Sequence, residues 1–120
     1  MRNVLIVDDH ADIRRLLKVT LGREFEVREA EDGRAAMAQL ERQVPDLILL
    51  DVMMPGDLDG LQVLQAIKNN PATRHVPVGM VTARGQVADS DEAHRLGADA
   101  YFIKPFSPLQ VMTWVRGQIG

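Results

Sequence analysis

The chain has 120 residues, a formal net charge of −3 and no cysteine. This length predicts one domain with a single core, and the lack of cysteine excludes a disulfide framework and a cysteine-ligated metal site. The weak negative charge and the absence of a long Lys/Arg cluster argue against direct binding to nucleic acid. No apolar run approaches the roughly 18 residues of a membrane span. The lack of cysteine fits a reducing cytoplasm, where we expect the protein to act as a monomer or a weak homodimer.

Short apolar runs and amphipathic stretches alternate in the first half of the chain. Val4–Val7 indicates a buried strand, and the apolar residues at helical spacing after it indicate a helix that ends near Gly22. Phe25–Ala30 alternates between apolar and charged residues, which predicts a strand at the edge of a sheet. A second helix, capped by Asp32, precedes Leu47–Leu50, whose consecutive aliphatic residues predict a strand buried on both faces.

The second half of the chain repeats this order of strand and helix. After Leu50 a third helix ends near Asn69, a strand covers Val76–Val81, and a weakly amphipathic helix covers Gln86–Leu96. Ala98–Ile103 predicts the fifth strand, and a last helix follows it, with Ser107 as its predicted cap. Strands that alternate with helices in this way predict an α/β fold, a (βα)₅ doubly wound parallel five-stranded sheet.

Polar side chains follow four of the predicted strands. Asp8 and Asp9 follow the first strand, Asp51 the third, Thr82 the fourth and Lys104 the fifth. Because the carboxyl ends of parallel strands share one edge, where ligands bind, we expect these side chains to converge. Crowded carboxylates need compensating charge, which Mg²⁺ and a lysine can supply. The set predicts a site that binds a phosphoryl group, with Asp51 as its possible acceptor.

These motifs resemble those of the receiver domain of bacterial two-component response regulators. The residues that carry the resemblance are Asp8-Asp9, Asp51-Val52-Met53-Met54-Pro55, Thr82-Ala83 and Lys104-Pro105-Phe106. The resemblance covers the chain from end to end and implies one receiver domain over residues 1–120, with the flavodoxin-like strand order 2-1-3-4-5. It implies a signalling switch rather than an enzyme, since the only chemistry of such a domain is its own phosphorylation and dephosphorylation.

The resemblance also implies the roles of the acidic residues. Asp51 would take a phosphoryl group from a sensor histidine kinase or a histidine phosphotransfer protein. Asp9 and Asp51 would ligate Mg²⁺ directly, together with the backbone carbonyl of Met53, and Asp8 would act mostly through water. The predicted topology, rather than the resemblance, places the first helix beside this edge of the sheet. Its charged residues Arg14, Arg15 and Lys18 are therefore our hypothesis for the docking face of the phosphodonor.

The motifs around Thr82, Tyr101 and Lys104 match the residues that switch the conformation of the family's receiver domains on phosphorylation. Lys104 would pair with Asp51 before phosphorylation and with the phosphoryl oxygens afterwards, and its bond to Pro105 matches one that is usually cis. Thr82 would donate a hydrogen bond to a phosphoryl oxygen. Tyr101 matches the switch aromatic residue, which turns inward as the threonine moves. The surface of helix 4, strand 5 and helix 5 would then dock an effector domain or protein.

The chain departs from the family pattern near the predicted acceptor. The loop Pro55–Gly60 is one residue longer than usual, which bears on its path beside the metal. Met53 and Arg84 lie two residues beyond the acceptor and the threonine, where we expect them to hinder the attacking water and slow hydrolysis. The three histidines are expected to be surface side chains rather than ligands or phosphoryl carriers: His10, His75 and His94.

Three other functions compete with this interpretation. A phosphatase of the haloacid-dehalogenase type also uses an aspartate nucleophile and Mg²⁺, but it expects Asp-x-Asp after the first strand, whereas Asp51 follows the third. A flavodoxin-like flavin carrier needs a phosphate-binding loop where this chain has two acids. An interaction module that works without phosphorylation would not need the complete acceptor site. The chain also has no P-loop, which disfavours a nucleotide as the direct phosphate source.

Overall fold

The computed structural model describes residues 1–83 and 87–120, without the side chains of 87–90. In this part of the chain, strands and helices alternate in the order β1 Asn3–Val7, α1 Ala11–Leu21, β2 Glu26–Ala30, α2 Gly33–Arg42, β3 Leu47–Asp51, α3 Gly60–Asn69, β4 Val78–Ala83, α4 Val87–Arg95, β5 Ala100–Lys104 and α5 Pro108–Ile119. The strands are all parallel and lie in the order β2-β1-β3-β4-β5. The predicted (βα)₅ fold and its strand order are therefore confirmed.

Helices cover both faces of the sheet, and the side chains of β1 show this directly. Leu5 and Val7 belong to a core cluster shared with α2 and α3, whereas Val4 and Ile6 belong to a second cluster shared with α1 and α5. Alternate residues of a strand point to opposite faces of its sheet, so both sets are buried. This is why β1 and β3 are apolar along their length, while β2, at the sheet edge, carries charged residues.

Local capping explains where several helices begin. The side chains of Asp32 and Ser107 each accept a backbone N–H from the first turn of the following helix, as the sequence predicts. Asp59 and Gln62 form a reciprocal capping box at the start of α3, which the sequence analysis missed. The predicted start of the fourth helix, Gln86, lies outside the described residues. None of the helices described here has the length and apolar composition to span a membrane.

Candidate functional site

The strand register brings the predicted polar side chains to one edge of the sheet. Asp51 ends β3 and lies opposite Val81 in β4, while Lys104 ends β5 and lies opposite Ala83 in β4. Asp8 directly follows β1, which pairs with β3. Parallel pairing therefore places these side chains together, although they come from separate parts of the sequence.

Lys104 joins two buried carboxylates at this edge. Its Nζ atom lies 3.0 Å from Oδ2 of Asp8 and 3.3 Å from Oδ2 of Asp51. The two carboxylate side chains are only 3% and 4% exposed, respectively, so their mutual repulsion is weakly screened by water. Burial opposes a charge on Lys104, but its hydrogen bonds and the two negative charges outweigh burial and raise the pKa of the lysine. The lysine therefore stays cationic and offsets the repulsion.

The ionised form of the Asp51 carboxyl is destabilised although Lys104 lies beside it. Its pKa is raised from 3.8 to about 6, first because the group is buried and second because Asp8 is negatively charged. Lys104 and the backbone N–H of Met53, which lies 3.4 Å from Oδ1, act in the opposite direction. A further positive charge at this site would therefore favour the ionised, nucleophilic form of Asp51.

Acidic donors for a metal ion gather around the same point. Asp8, Asp9, His10 and Asp51 each offer one donor atom, and these atoms all lie within 4.8 Å of one another. The three carboxylates provide hard oxygen donors, which fit Mg²⁺. The backbone N–H of Met53 lies 3.4 Å from Oδ1 of Asp51, and the Met53 side chain is exposed. The backbone carbonyl of Met53 stays a predicted further oxygen donor.

The contacts of His10 were missed by the sequence analysis. Its ring is 63% exposed, as expected of a surface histidine, but Nδ1 lies 3.1 Å from Oδ1 of Asp8 and 3.3 Å from Oδ1 of Asp9. The available signal was its position directly after the two acids. His75 and His94 are exposed, in agreement with their expected place on the surface.

Arg14 holds the backbone next to the acidic residues. Its Nη1 donates to the carbonyl oxygen of Asp8 at 2.6 Å, and its Nε donates to Oε1 of Glu29 at 3.2 Å. Its side chain is only 17% exposed. Of the predicted docking face, Arg15 and Lys18 are therefore the exposed members, while Arg14 links α1 to the ends of β1 and β2.

Gly60 brings the start of α3 against the end of β3. A Cβ atom at this position would lie 1.9 Å from the carbonyl oxygen of Asp51, so a larger residue would displace one of the two segments. The longer loop before it is tied to α2 by an ion pair between Arg34 and Asp57. The loop Pro55–Gly60, which is one residue longer than usual in the family, is therefore held at both sides. Asp51 still lies beside Lys104.

The predicted switch residues lie on the neighbouring strands β4 and β5. Thr82 is buried, one residue beyond the position opposite Asp51. Tyr101 pairs with Met80, packs against the core and lines a cavity of about 280 Å³ that α4 also borders. The bond between Lys104 and Pro105 is cis. Arg84, which the sequence predicts to slow hydrolysis, lies outside the described residues.

Comparison with known proteins shows to which protein family the chain belongs. The sequence model of the family described as the response regulator receiver domain matches residues 4–116. The chain belongs to this family. This receiver domain is 42% identical over 116 residues to the phosphate regulon transcriptional regulatory protein PhoB of Klebsiella pneumoniae, and 45% identical over 114 residues to the transcriptional regulatory protein ResD of Bacillus subtilis. The alignments cover 96% and 94% of the chain but 50% and 46% of those relatives, so the chain spans about half their length.

Solved structures agree with this assignment. The receiver domain of NtrX from Brucella abortus superposes with a TM-score of 0.89 at 32% identity, covering 97% of both chains. The chemotaxis protein CheY4 of Vibrio cholerae superposes with a TM-score of 0.89 at 30% identity, covering 99% of both chains. The chain is thus a receiver domain of two-component signalling, a class that interacts with histidine kinases and effector domains.

Proposed function

We propose that this receiver domain accepts a phosphoryl group on Asp51, with Mg²⁺ bound, from a sensor histidine kinase or a histidine phosphotransfer protein. The observation that supports the proposal is the position of Lys104, within 3.3 Å of two buried carboxylates at the carboxyl edge of the sheet. Phosphoryl transfer depends mainly on positioning and on neutralisation of the phosphoryl oxygens. This edge offers a carboxylate nucleophile, a fixed cation and further acids for a metal.

The donor set fits Mg²⁺ because all the expected ligands are oxygen atoms. In the proposal, Asp9, Asp51 and the carbonyl of Met53 hold the ion directly, and Asp8 acts through water. When bound, the ion supplies the positive charge that keeps Asp51 ionised and neutralises phosphoryl oxygens. The close packing of the donor atoms, all within 4.8 Å, supports a single shared site.

The residues of the chain itself then carry out the transfer. An oxygen of Asp51 attacks the phosphorus of the phosphohistidine, the P–N bond breaks and the imidazole of the donor leaves. Lys104 already contacts Asp51 and can pair with the phosphoryl oxygens after transfer. Thr82, buried at the same edge, donates its hydroxyl to one of these oxygens. The exposed side chain of Met53 hinders the water that would later hydrolyse the acyl phosphate.

The output of the switch is proposed to be the surface of α4, β5 and α5. A phosphoryl group adds about −1.5 to −2 charge, and only a contact that differs between two states can shift their populations. The contacts of Thr82 and Lys104 with the phosphoryl oxygens provide this difference, and Tyr101 turns inward in the active state. Ile103 and Leu109 are exposed large apolar residues on this surface, where an effector domain or protein would dock. We place this exchange in the cytoplasm, with the domain monomeric or weakly dimeric.

Intact-mass spectrometry after incubation with acetyl phosphate and Mg²⁺ tests the proposal. We expect a gain of about 80 Da, the mass of one added phosphoryl group, which EDTA and Asp51→Asn both abolish. Asp12→Asn is the matched control, since it removes an exposed carboxylate on the adjacent helix and should leave the gain intact. If the folded protein binds Mg²⁺ without gaining mass, the domain works without phosphorylation, as an interaction module.

A further inference from the structure

We propose that Nδ1 of His10 is a nitrogen ligand of the metal site and gives this receiver domain a stronger preference for Mn²⁺ over Mg²⁺ than carboxylate and carbonyl oxygens alone would give. The inference rests on the proposed metal site of Asp8, Asp9 and Asp51. It adds a donor to that site and assigns the property that the donor controls, the choice of metal.

The separations of the donor atoms match those of ligands on a single ion. Nδ1 of His10 lies 3.1 Å from Oδ1 of Asp8 and 3.3 Å from Oδ1 of Asp9. Adjacent ligands of an octahedral ion, at about 2.1 Å from the metal and about 90° apart, lie about 3.0 Å from each other, so these separations come within a few tenths of an ångström of that value. The imidazole nitrogen therefore lies near the position of a ligand adjacent to Oδ1 of Asp9, which is a direct ligand in the proposed site. It also lies within 4.8 Å of the donor atoms of Asp51 and of Asp8, and Asp8 acts in that site through water.

The local backbone holds the imidazole in this position. His10 is the N-cap residue of α1, in an extended conformation with φ −89° and ψ 111°, but its side chain makes no capping hydrogen bond. Its backbone N–H instead donates to Oδ1 of Asp8 at 2.8 Å. The side chain is consequently turned towards the carboxylates rather than the helix. Because the ring is largely exposed, a metal or water can reach it from solvent.

The chemistry of the donor atom determines which metal ion gains affinity for the site. Mg²⁺ prefers oxygen ligands and near-ideal octahedral geometry. Mn²⁺ also suits oxygen ligands, but it belongs to the first-row transition series, whose ions bind sites that contain nitrogen donors. A nitrogen atom at His10 therefore adds affinity for Mn²⁺ and little for Mg²⁺. The competing role is that of a hydrogen-bond donor, because both distances also fit a ring N–H that donates to carboxylate oxygens. A glutamine can fill that second role but is a poorer ligand for a transition metal.

Mn²⁺ titration of the whole chain at pH 8 separates these roles. Electron paramagnetic resonance of free Mn²⁺ gives its affinity, competition gives the affinity for Mg²⁺, and spin-echo spectroscopy detects ¹⁴N coupled to bound Mn²⁺. We expect the native chain to show the ¹⁴N coupling. His10→Gln and His10→Ala should abolish it and weaken Mn²⁺ binding on the order of tenfold, with a much smaller effect on Mg²⁺. His75→Ala, which changes an exposed histidine outside the site, should match the native chain.

Three results would contradict different parts of the proposal: the nitrogen ligand, the metal preference and the underlying metal site. Native protein without ¹⁴N coupling, or His10→Gln with native affinities for both ions, would reduce His10 to a hydrogen-bond donor. Coupling with an unchanged ratio of the two affinities would overturn the claim of metal preference. Asp9→Asn and Asp51→Asn test the underlying site, because Mn²⁺ binding that survives both would contradict the proposed function itself. Circular dichroism of each variant confirms that the comparison is between folded proteins.

Discussion

Asp51→Asn should stabilise the folded domain in the absence of divalent cations. The rise of the Asp51 pKa from 3.8 to about 6 means that the ionised carboxylate makes the fold less stable by about 3 kcal/mol at pH 8. Asparagine has nearly the same shape and no charge, so it removes this penalty. It also weakens the contact with Lys104, which lies 3.3 Å away. We therefore expect a net gain of about 1–3 kcal/mol in the free energy of unfolding.

The gain should depend on pH in a definite direction. A carboxyl group with a raised pKa binds its proton more tightly in the folded state, so protonation favours folding below about pH 6. The stability that native Asp51 contributes is fully present below its unfolded pKa, about 3.9, and is lost as the pH rises through about 6. The advantage of Asp51→Asn should thus be small at pH 4 and complete by pH 8.

Urea denaturation followed by circular dichroism, in EDTA at pH 4 and pH 8, measures this difference. Equal slopes of free energy against urea are required for the comparison. Glu24→Gln is the control, because the exposed Glu24 carboxyl pairs with Arg116 and has a lowered pKa, so its removal should give no stabilisation at pH 8. The reasoning is refuted if Asp51→Asn is less stable than the native chain at pH 8, or if its gain is the same at both pH values.

Three further substitutions test other contacts of the site. Lys104→Met leaves Asp8 and Asp51 without their shared cation, so urea denaturation in EDTA should show a loss of about 1–3 kcal/mol in the free energy of unfolding. Calorimetry of the same variant should show tighter Mg²⁺ binding than in the native chain, and weaker binding would contradict this expectation. Gly60→Ala places Cβ 1.9 Å from the Asp51 carbonyl oxygen and should cost about 2–4 kcal/mol; an unchanged melting temperature would mean that the helix start moves freely. Asp59→Ala removes the capping box of α3 and should lower the unfolding free energy by about 1 kcal/mol; an unchanged urea midpoint would exclude that role.

The alternation of strands and helices in a parallel sheet could be predicted from the sequence because burial leaves a clear pattern in the strands, whereas the strand order followed from the family resemblance. Leu47–Leu50 and Val4–Val7 are wholly apolar since helices cover both of their faces, and Phe25–Ala30 alternates since its strand lies at an edge. Parallel strands then require the carboxyl ends to meet, which was enough to predict that Asp51 and Lys104 approach each other although they lie on different strands.

Contacts that depend on side-chain direction could not be predicted in the same way. Helical spacing placed Arg14 on an exposed docking face, but its guanidinium turns back to the Asp8 carbonyl. The position of His10 after two acids did not reveal that its ring turns towards them instead of capping α1. The contact of Gly60 with Asp51 depends on the path of a loop with an additional residue. Each of these requires the backbone conformation, which spacing alone does not determine.

The identity of the modified atom tests the central claim most directly. Borohydride reduces an aspartyl phosphate to homoserine, so the chain can be treated with acetyl phosphate and Mg²⁺, reduced, digested and sequenced by mass spectrometry. We predict homoserine at position 51 alone, with none formed when EDTA is present. Homoserine at another acidic residue, or a stable phosphoryl group on a histidine, would contradict the assignment of Asp51 as the phosphoryl acceptor.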